Sequence, residues 1–366
     1  KRCSRCILPD GFLGLPLDEE GVCGLCRAEP QGQRASGQGL EQLGERIRSL
    51  GRGSLGRGGR YDCVVPLSGG KDSTYILYSA VRDLALRVIA VNYDSGYQSD
   101  EGRGNVENAC RALGVPLVVR RPDPDLQRSM LREILEISRE LGCYTRTCTN
   151  CELMLRNVAL GTAREHDVPV ILWGSASAES AEPQEYRDYR HGRSPLAILS
   201  SKLESFRRLK LGPGRVAKLL PHIVRYTALN IRHRVAMGVP ASCVLNPYRL
   251  MPFPPSNPTV VHYFDYASWD PTEKVEILKR ELGWRHPPDR QSRFDCLLYS
   301  FVEHRHLKLH GITDSGAVDC GSVREGRLTR QRALEQERTR IGRIERECDA
   351  LVESLGLDRL EIELPQ

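Results

Sequence analysis

The chain contains no run of about eighteen apolar residues, which excludes a membrane-spanning helix on its hydropathy pattern. Its opening, KRCSRCILPD, lacks the apolar core of a secretory signal, so a cytoplasmic location is expected. Charge of one sign is also scarce. The 53 Lys and Arg residues stand against 47 Asp and Glu, a net +6 that admits an anionic substrate or a nucleic acid without demanding either. What is present is a chain of 366 residues, 40% hydrophobic and 27% charged, long enough for two or three soluble domains. Thirteen cysteines are many. In a reducing compartment, clustered cysteines signal metal or redox chemistry rather than disulfides.

The most informative stretch is Asp62 to Ser73, DCVVPLSGGKDS. Cys63 to Leu67 is a short apolar run without alternation, as in a strand buried on both faces of a parallel sheet. Gly69 and Gly70 allow a bend that gathers backbone N–H groups into one concavity. The helix expected over Thr74 to Val81 adds its positive end. Lys71 supplies a full charge, and Ser68 and Ser73 supply hydroxyls. Such a corner suits a phosphate or pyrophosphate. It is not a Walker loop, because Val65 and Asp72 stand where that motif requires Gly and Ser or Thr. The run Ser68–Ser73 resembles the SGGKDS loop of PP-loop ATP pyrophosphatases, which implies cleavage of ATP between its α and β phosphates.

Two CxxC turns, Cys3/Cys6 and Cys23/Cys26, have zinc-ribbon spacing. They predict a closed, structural four-thiolate zinc site over residues 1–30. Residues 31–60, rich in Gly, Arg, Gln and Ser, read as a linker with one helix over Gly39–Leu50. From Tyr61 onward, strands and helices alternate: strands at Leu86–Val91, Pro116–Val119 and Val168–Trp173, helices at Asn105–Leu113, Asp125–Leu141 and Glu152–His166. This predicts an α/β fold, a doubly wound parallel sheet over residues 61–200. Ligands of such sheets sit beyond the strand C-termini. The expected ATP ligands are therefore Leu67, Ser68, Gly69, Gly70, Lys71, Asp72, Ser73, Asn92, Asp94 and Gly174, with Mg²⁺ and Asp72 as its candidate ligand. In many PP-loop enzymes a Gly-His motif ending in acids follows the fourth strand. Here Ser175 replaces the His, and Glu179 is the remaining acid.

Residues 201–366 read as mostly helical. Ser200–Arg234 predicts two or three basic amphipathic helices broken at Gly212–Gly214. Their basic face is a candidate RNA surface, although few aromatics interleave to stack bases. Pro247–Pro258 must be irregular. Asp270 and Pro271 start a helix flanked by Trp269 and Trp284, both read as packing residues. His262, His304, His306 and His310 lack ligand spacing and are assigned to packing or surface. A charged helix over Thr329–Leu355 is expected to cap the fold or contact a partner.

Cys148 and Cys151 precede the helix at Glu152, where a helix N-terminus stabilises thiolates. With Cys243 as a distant third ligand they are candidates for an iron–sulfur site. Alternatively they form a persulfide or redox pair. Lys71, Asp72, Cys148 and Cys151 are the candidate catalytic residues.

Beyond the loop, the chain resembles the N-acetyl sugar amidotransferase family of PP-loop enzymes. The residues concerned are Cys3–Pro9, Asp18–Arg27, Ser68–Ser73, Trp269–Pro271, Glu281–Trp284, Arg293–Cys296 and Arg324–Arg330. The resemblance implies an adenylated acetamido oxygen of a nucleotide sugar, displaced by ammonia from a separate glutaminase subunit, and no glutaminase segment is seen here. A homo-oligomer is expected. The Cys148/Cys151/Cys243 triplet instead looks like that of PP-loop tRNA thiolases. That implies sulfur in place of ammonia, a [4Fe-4S] cluster and a sulfur-carrier partner. A third class, a zinc-ribbon RNA-binding module with a degenerate ATP site, competes with both.

Overall fold

The computed structural model describes residues 1–12, 16–27, 39–53, 60–141, 147–174, 212–238, 258–267, 271–287, 293–324, 326 and 328–355. A short helix α1 (Gly24–Arg27) and a longer α2 (Leu40–Gly53) lead into the sheet. Five strands follow: β1 (Cys63–Pro66), β2 (Val88–Tyr93), β3 (Leu117–Arg120), β4 (Val170–Trp173) and β5 (Thr259–His262). All pair in parallel, in the order β3-β2-β1-β4-β5, with Val64 opposite Ile89 on one side and Ile171 on the other. Every residue of β1, β2 and β4 is buried, as expected of strands covered on both faces.

Strand periodicity sorts the core into two layers. Cys63, Val65, Val88, Ala90, Val170 and Leu172 face α2, α3 (Lys71–Arg82), α4 (Asp100–Leu113) and, later in the chain, α8 (Pro271–Leu282). Val64, Ile89, Val91, Tyr93, Ile171 and Trp173 face α5 (Pro124–Leu141), α6 (Thr147–Glu165) and α7 (Pro213–Ala236). Helices thus cover both faces, and the sheet is doubly wound as expected.

Three differences from the sequence reading have local causes. β5 was not anticipated: TVVH is four residues long, too short for a pattern, and its pairing with β4 creates it. α6 begins at Thr147, so Cys148 lies in its first turn and Cys151 just after it, rather than before the helix. α4 begins at Asp100 because Ser99 accepts from the Gly102 N–H at 3.0 Å and caps it, although Gly102 and Gly104 dilute the helical signal there. Asp270, Trp269 and the basic segment before Gly212 lie outside the described residues.

The C-terminal part forms α9 (Tyr299–His310), α10 (Asp314–Arg324) and α11 (Arg330–Leu355). Ile312, Cys320 and Ala333 from this part pack with Ile7, Leu8 and Val22 into one apolar cluster, so the N-terminal cysteine segment has its core in the C-terminal helices. His306 and His310 pack against Phe12 in that contact, with ring centroids 6.0 and 5.4 Å from Phe12. Among the described residues no helix is long and apolar enough to cross a membrane.

Candidate nucleotide and metal sites

In the order 3-2-1-4-5 the connections leave β1 in opposite directions, and the crevice between the C-terminal ends of β1 and β4 is the switch point where such sheets bind ligands. Ser68–Ser73 leaves β1 at that point, and Gly174 leaves β4. The loop's carbonyls are tied back one after another. Asn92 donates to the Leu67 oxygen at 2.7 Å and Gln98 to that of Ser68 at 2.8 Å. The Gly69 oxygen accepts from Asn105 at 3.2 Å and from the Trp284 indole at 2.9 Å. Asn105 also exchanges two bonds with the Arg285 backbone, both 2.8 Å, which fixes its amide.

Beside these held carbonyls α3 begins. Gly70 is its N-cap and has no side chain to cap it, so the positive end of the helix opens into the concavity. Gly69 needs its glycine: φ is +88°, and a Cβ there would lie 2.1 Å from the Gly102 carbonyl oxygen. The Lys71 ammonium sits 3.0 Å from the Asp72 carboxylate, both half-exposed. Ser68 and Ser73 hydroxyls are 3.2 Å apart. This corner offers N–H groups, a cation and hydroxyls in one concavity, the chemistry of an anion cradle.

Asp94 follows the last residue of β2 and is buried. Its carboxylate accepts from Arg121 at 2.9 Å and from the Gly96 N–H at 3.0 Å, with Arg103 at 3.9 Å. Asp94 thus anchors basic residues on the rim, and Asn92 braces the loop. The sequence reading gave Gln98 and Asn105 no site role, placed Asp295 only within the Arg293–Cys296 run of the resemblance, and read Trp284 as packing and as part of the Glu281–Trp284 run. Asp295 lies against the loop, with Oδ2 3.2 Å from where a Cβ on Gly70 would stand. Its carboxyl is pushed above the usual range by burial, opposed by a hydrogen bond from Ser68 and by Arg293, with Asp72 adding to the rise.

Cys151 is half-buried just after the first turn of α6. It lies near enough to Tyr93, Tyr97 and Tyr226 to add to the rise that burial causes in all three phenols, which reaches about 12 for Tyr226. The Cys148 side chain, Cys243, Ser175 and Glu179 lie outside the described residues.

The four sulfurs of Cys3, Cys6, Cys23 and Cys26 all lie within 4.8 Å of one another. Cys3–Cys26 and Cys6–Cys23 are 3.9 and 3.8 Å apart, close to the ~3.8 Å edge of a tetrahedron of sulfurs about 2.3 Å from one ion. The Leu8 and Cys23 N–H groups donate to the Cys6 and Cys3 sulfurs at 3.4 and 3.3 Å, an arrangement that favours thiolates. Cys320 of α10, unforeseen from the sequence, lies near Cys6 and, with the Leu8 N–H, lowers the Cys6 thiol's pKa against the opposing effect of burial. Arg330 of α11 donates to the carbonyls of Cys3 and Cys6 at 3.2 and 2.9 Å. The residues fit a single tetrahedral ion with no open position. Among the described residues no other group of His, Cys, Asp and Glu is so placed.

No known protein family matches the chain, and no curated protein does. Among solved structures it is similar to the U34-tRNA thiolase NcsA from Methanococcus maripaludis with its [4Fe-4S] cluster, at 16% identity and a TM-score of 0.34, over 89% of this chain and 86% of that one.

Proposed function

We propose that the chain is an ATP-dependent adenylating enzyme of the PP-loop type, which forms AMP and pyrophosphate while activating a carbonyl or amide oxygen. The observation that carries this reading is the loop after β1, with consecutive carbonyls held by Asn92, Gln98, Asn105 and Trp284 at the switch point of the sheet. Pyrophosphate lies on the first turn of α3 beside Lys71, Ser68 and Ser73. The substrate oxygen attacks the α-phosphate, pyrophosphate leaves, and the carbon bears an adenylate that a nucleophile displaces. The chain's own contribution is positioning and charge stabilisation. Mg²⁺, for which Asp72 is a candidate ligand, supplies neutralisation of phosphate charge when bound.

For the displacing group, sulfur is favoured by Cys151, a half-buried thiol near the N-terminus of α6. Its partners in this reading are Cys148 and Cys243, as a persulfide pair or a [4Fe-4S] site, with a sulfur carrier and an RNA or small-molecule acceptor. Ammonia is the second reading, supported by the sequence runs resembling N-acetyl sugar amidotransferases. It requires a nucleotide sugar and a glutaminase partner. The cysteine tetrahedron holds zinc as a structural ion.

Two measurements test this. Lys71→Ala should abolish pyrophosphate release from ATP, and unchanged release removes the loop assignment. Mass analysis of product formed from ATP with sulfide or with ammonium separates the readings, because a product carrying nitrogen alone eliminates sulfur transfer.

A further inference from the structure

The phosphate loop is enclosed by a segment nearly 230 residues away in sequence. The Gln98–Cys296 antiparallel bridge, the Ser99 N–H on the Asp295 carbonyl at 3.1 Å and the Leu297 N–H on the Tyr97 carbonyl at 2.7 Å strap residues 295–297 along the start of α4. Gly102, in the first turn of α4, is what permits this: a Cβ there would stand 3.1 Å from the Asp295 Cα. Phe294 packs on Trp284, centroids 5.6 Å apart, while Trp284 holds the Gly69 carbonyl. The backbone on both sides of Asp295 is therefore fixed. Its carboxylate is delivered to the cradle, with Oδ2 3.2 Å from where a Cβ on Gly70 would stand and near enough to the Ser68 hydroxyl to be stabilised by it.

A carboxylate is an unexpected lining for a site that takes phosphate. Gly70 and Ser68 belong to the proposed pyrophosphate cradle, so a bare polyphosphate there meets like charge from Asp295 as well as from Asp72. A polyphosphate chelated to a divalent cation meets instead two carboxylates able to face the cation. On the reading proposed above, we infer that Asp295 is a specificity-determining residue of the nucleotide site: it makes the cradle accept metal-chelated ATP and reject the free polyanion. Burial raises the pKa of its carboxyl even with Arg293 nearby, so a cation in the cradle would favour the charged form.

The test is direct binding, by calorimetry on the full chain, of ATP with excess Mg²⁺ and of ATP in EDTA. The unaltered chain should prefer the Mg²⁺ form by about tenfold or more, the scale expected of a unit charge a few ångströms away. Asp295→Asn keeps an acceptor for Ser68 and removes the charge. It should bring the two affinities within about threefold, mainly by tightening metal-free binding. Asp295→Ala should narrow the ratio likewise while weakening both forms, because the loop loses the side chain packed against Gly70. A wild-type ratio in Asp295→Asn overturns the inference. So does an unaltered chain that binds ATP equally well in EDTA, a measurement that needs no variant. An unaltered chain that binds ATP in neither condition overturns the adenylation reading along with it.

Discussion

Replacing Gly69 by alanine should damage the protein far more than the same change one residue later. At Gly69 the backbone has φ +88°, and holding an L side chain in the left-handed region costs about 1–2 kcal/mol. The new methyl would also stand 2.1 Å from the Gly102 carbonyl oxygen and 2.9 Å from its Cα, both backbone atoms of a capped helix. Relief requires the first turn of α4 to withdraw, which strains the Gln98 and Asn105 bonds to the loop. Overpacking of this kind adds about 1–3 kcal/mol, for a total of about 2–5 kcal/mol. Gly70 is different. Its φ of −72° suits any residue, and a Cβ would meet only side-chain atoms, Asp295 Oδ2 at 3.2 Å and Ser68 Oγ at 3.4 Å. Gly70→Ala should therefore cost less than about 1 kcal/mol in stability. Urea denaturation followed by circular dichroism measures both. If Gly69→Ala unfolds within about 0.5 kcal/mol of the unaltered chain, or Gly70→Ala proves equally harmful, the claimed packing of loop on α4 is refuted.

Two further outcomes are expected. His233 is fully buried, its Nε2 3.5 Å from the Tyr93 hydroxyl, and burial, followed by the Arg234 charge, holds it down at about 4. The folded imidazole stays neutral while the unfolded one takes a proton below about 6.5. Stability should therefore fall by on the order of 3 kcal/mol as pH drops from about 6.5 to about 4. His233→Phe should flatten that slope, and an unaltered slope in the variant would show that another group sets it. At the cysteine tetrahedron, elemental analysis should find about one zinc per chain. Cys23→Ser should lose the metal and loosen α10 and α11. Cys320→Ser should retain it, since Cys320 stands outside the group of four close sulfurs; loss of zinc in Cys320→Ser would make Cys320 a ligand.

The fold class was legible because alternation of buried strands and amphipathic helices is a local pattern, and because Ser68–Ser73 is contiguous. The four N-terminal cysteines were legible as one group for the same reason: thiolates at CxxC spacing point the same way whatever surrounds them. Tertiary contact decided the rest. β5 exists because β4 offers an edge, not because TVVH announces a strand. Asn92 and Asp94 were legible as residues at a strand end, yet only the packed sheet gives one to the loop's carbonyl and the other to Arg121. Trp284, Cys320 and Asp295 are separated from their partners by 215 residues, 314 residues and 227 residues of chain. Sequence by itself determines which groups can bend, cradle or coordinate. Which distant carboxylate, indole or thiol stands against them follows from how two buried faces close over one sheet, a nonlocal consequence of burial that no short pattern encodes.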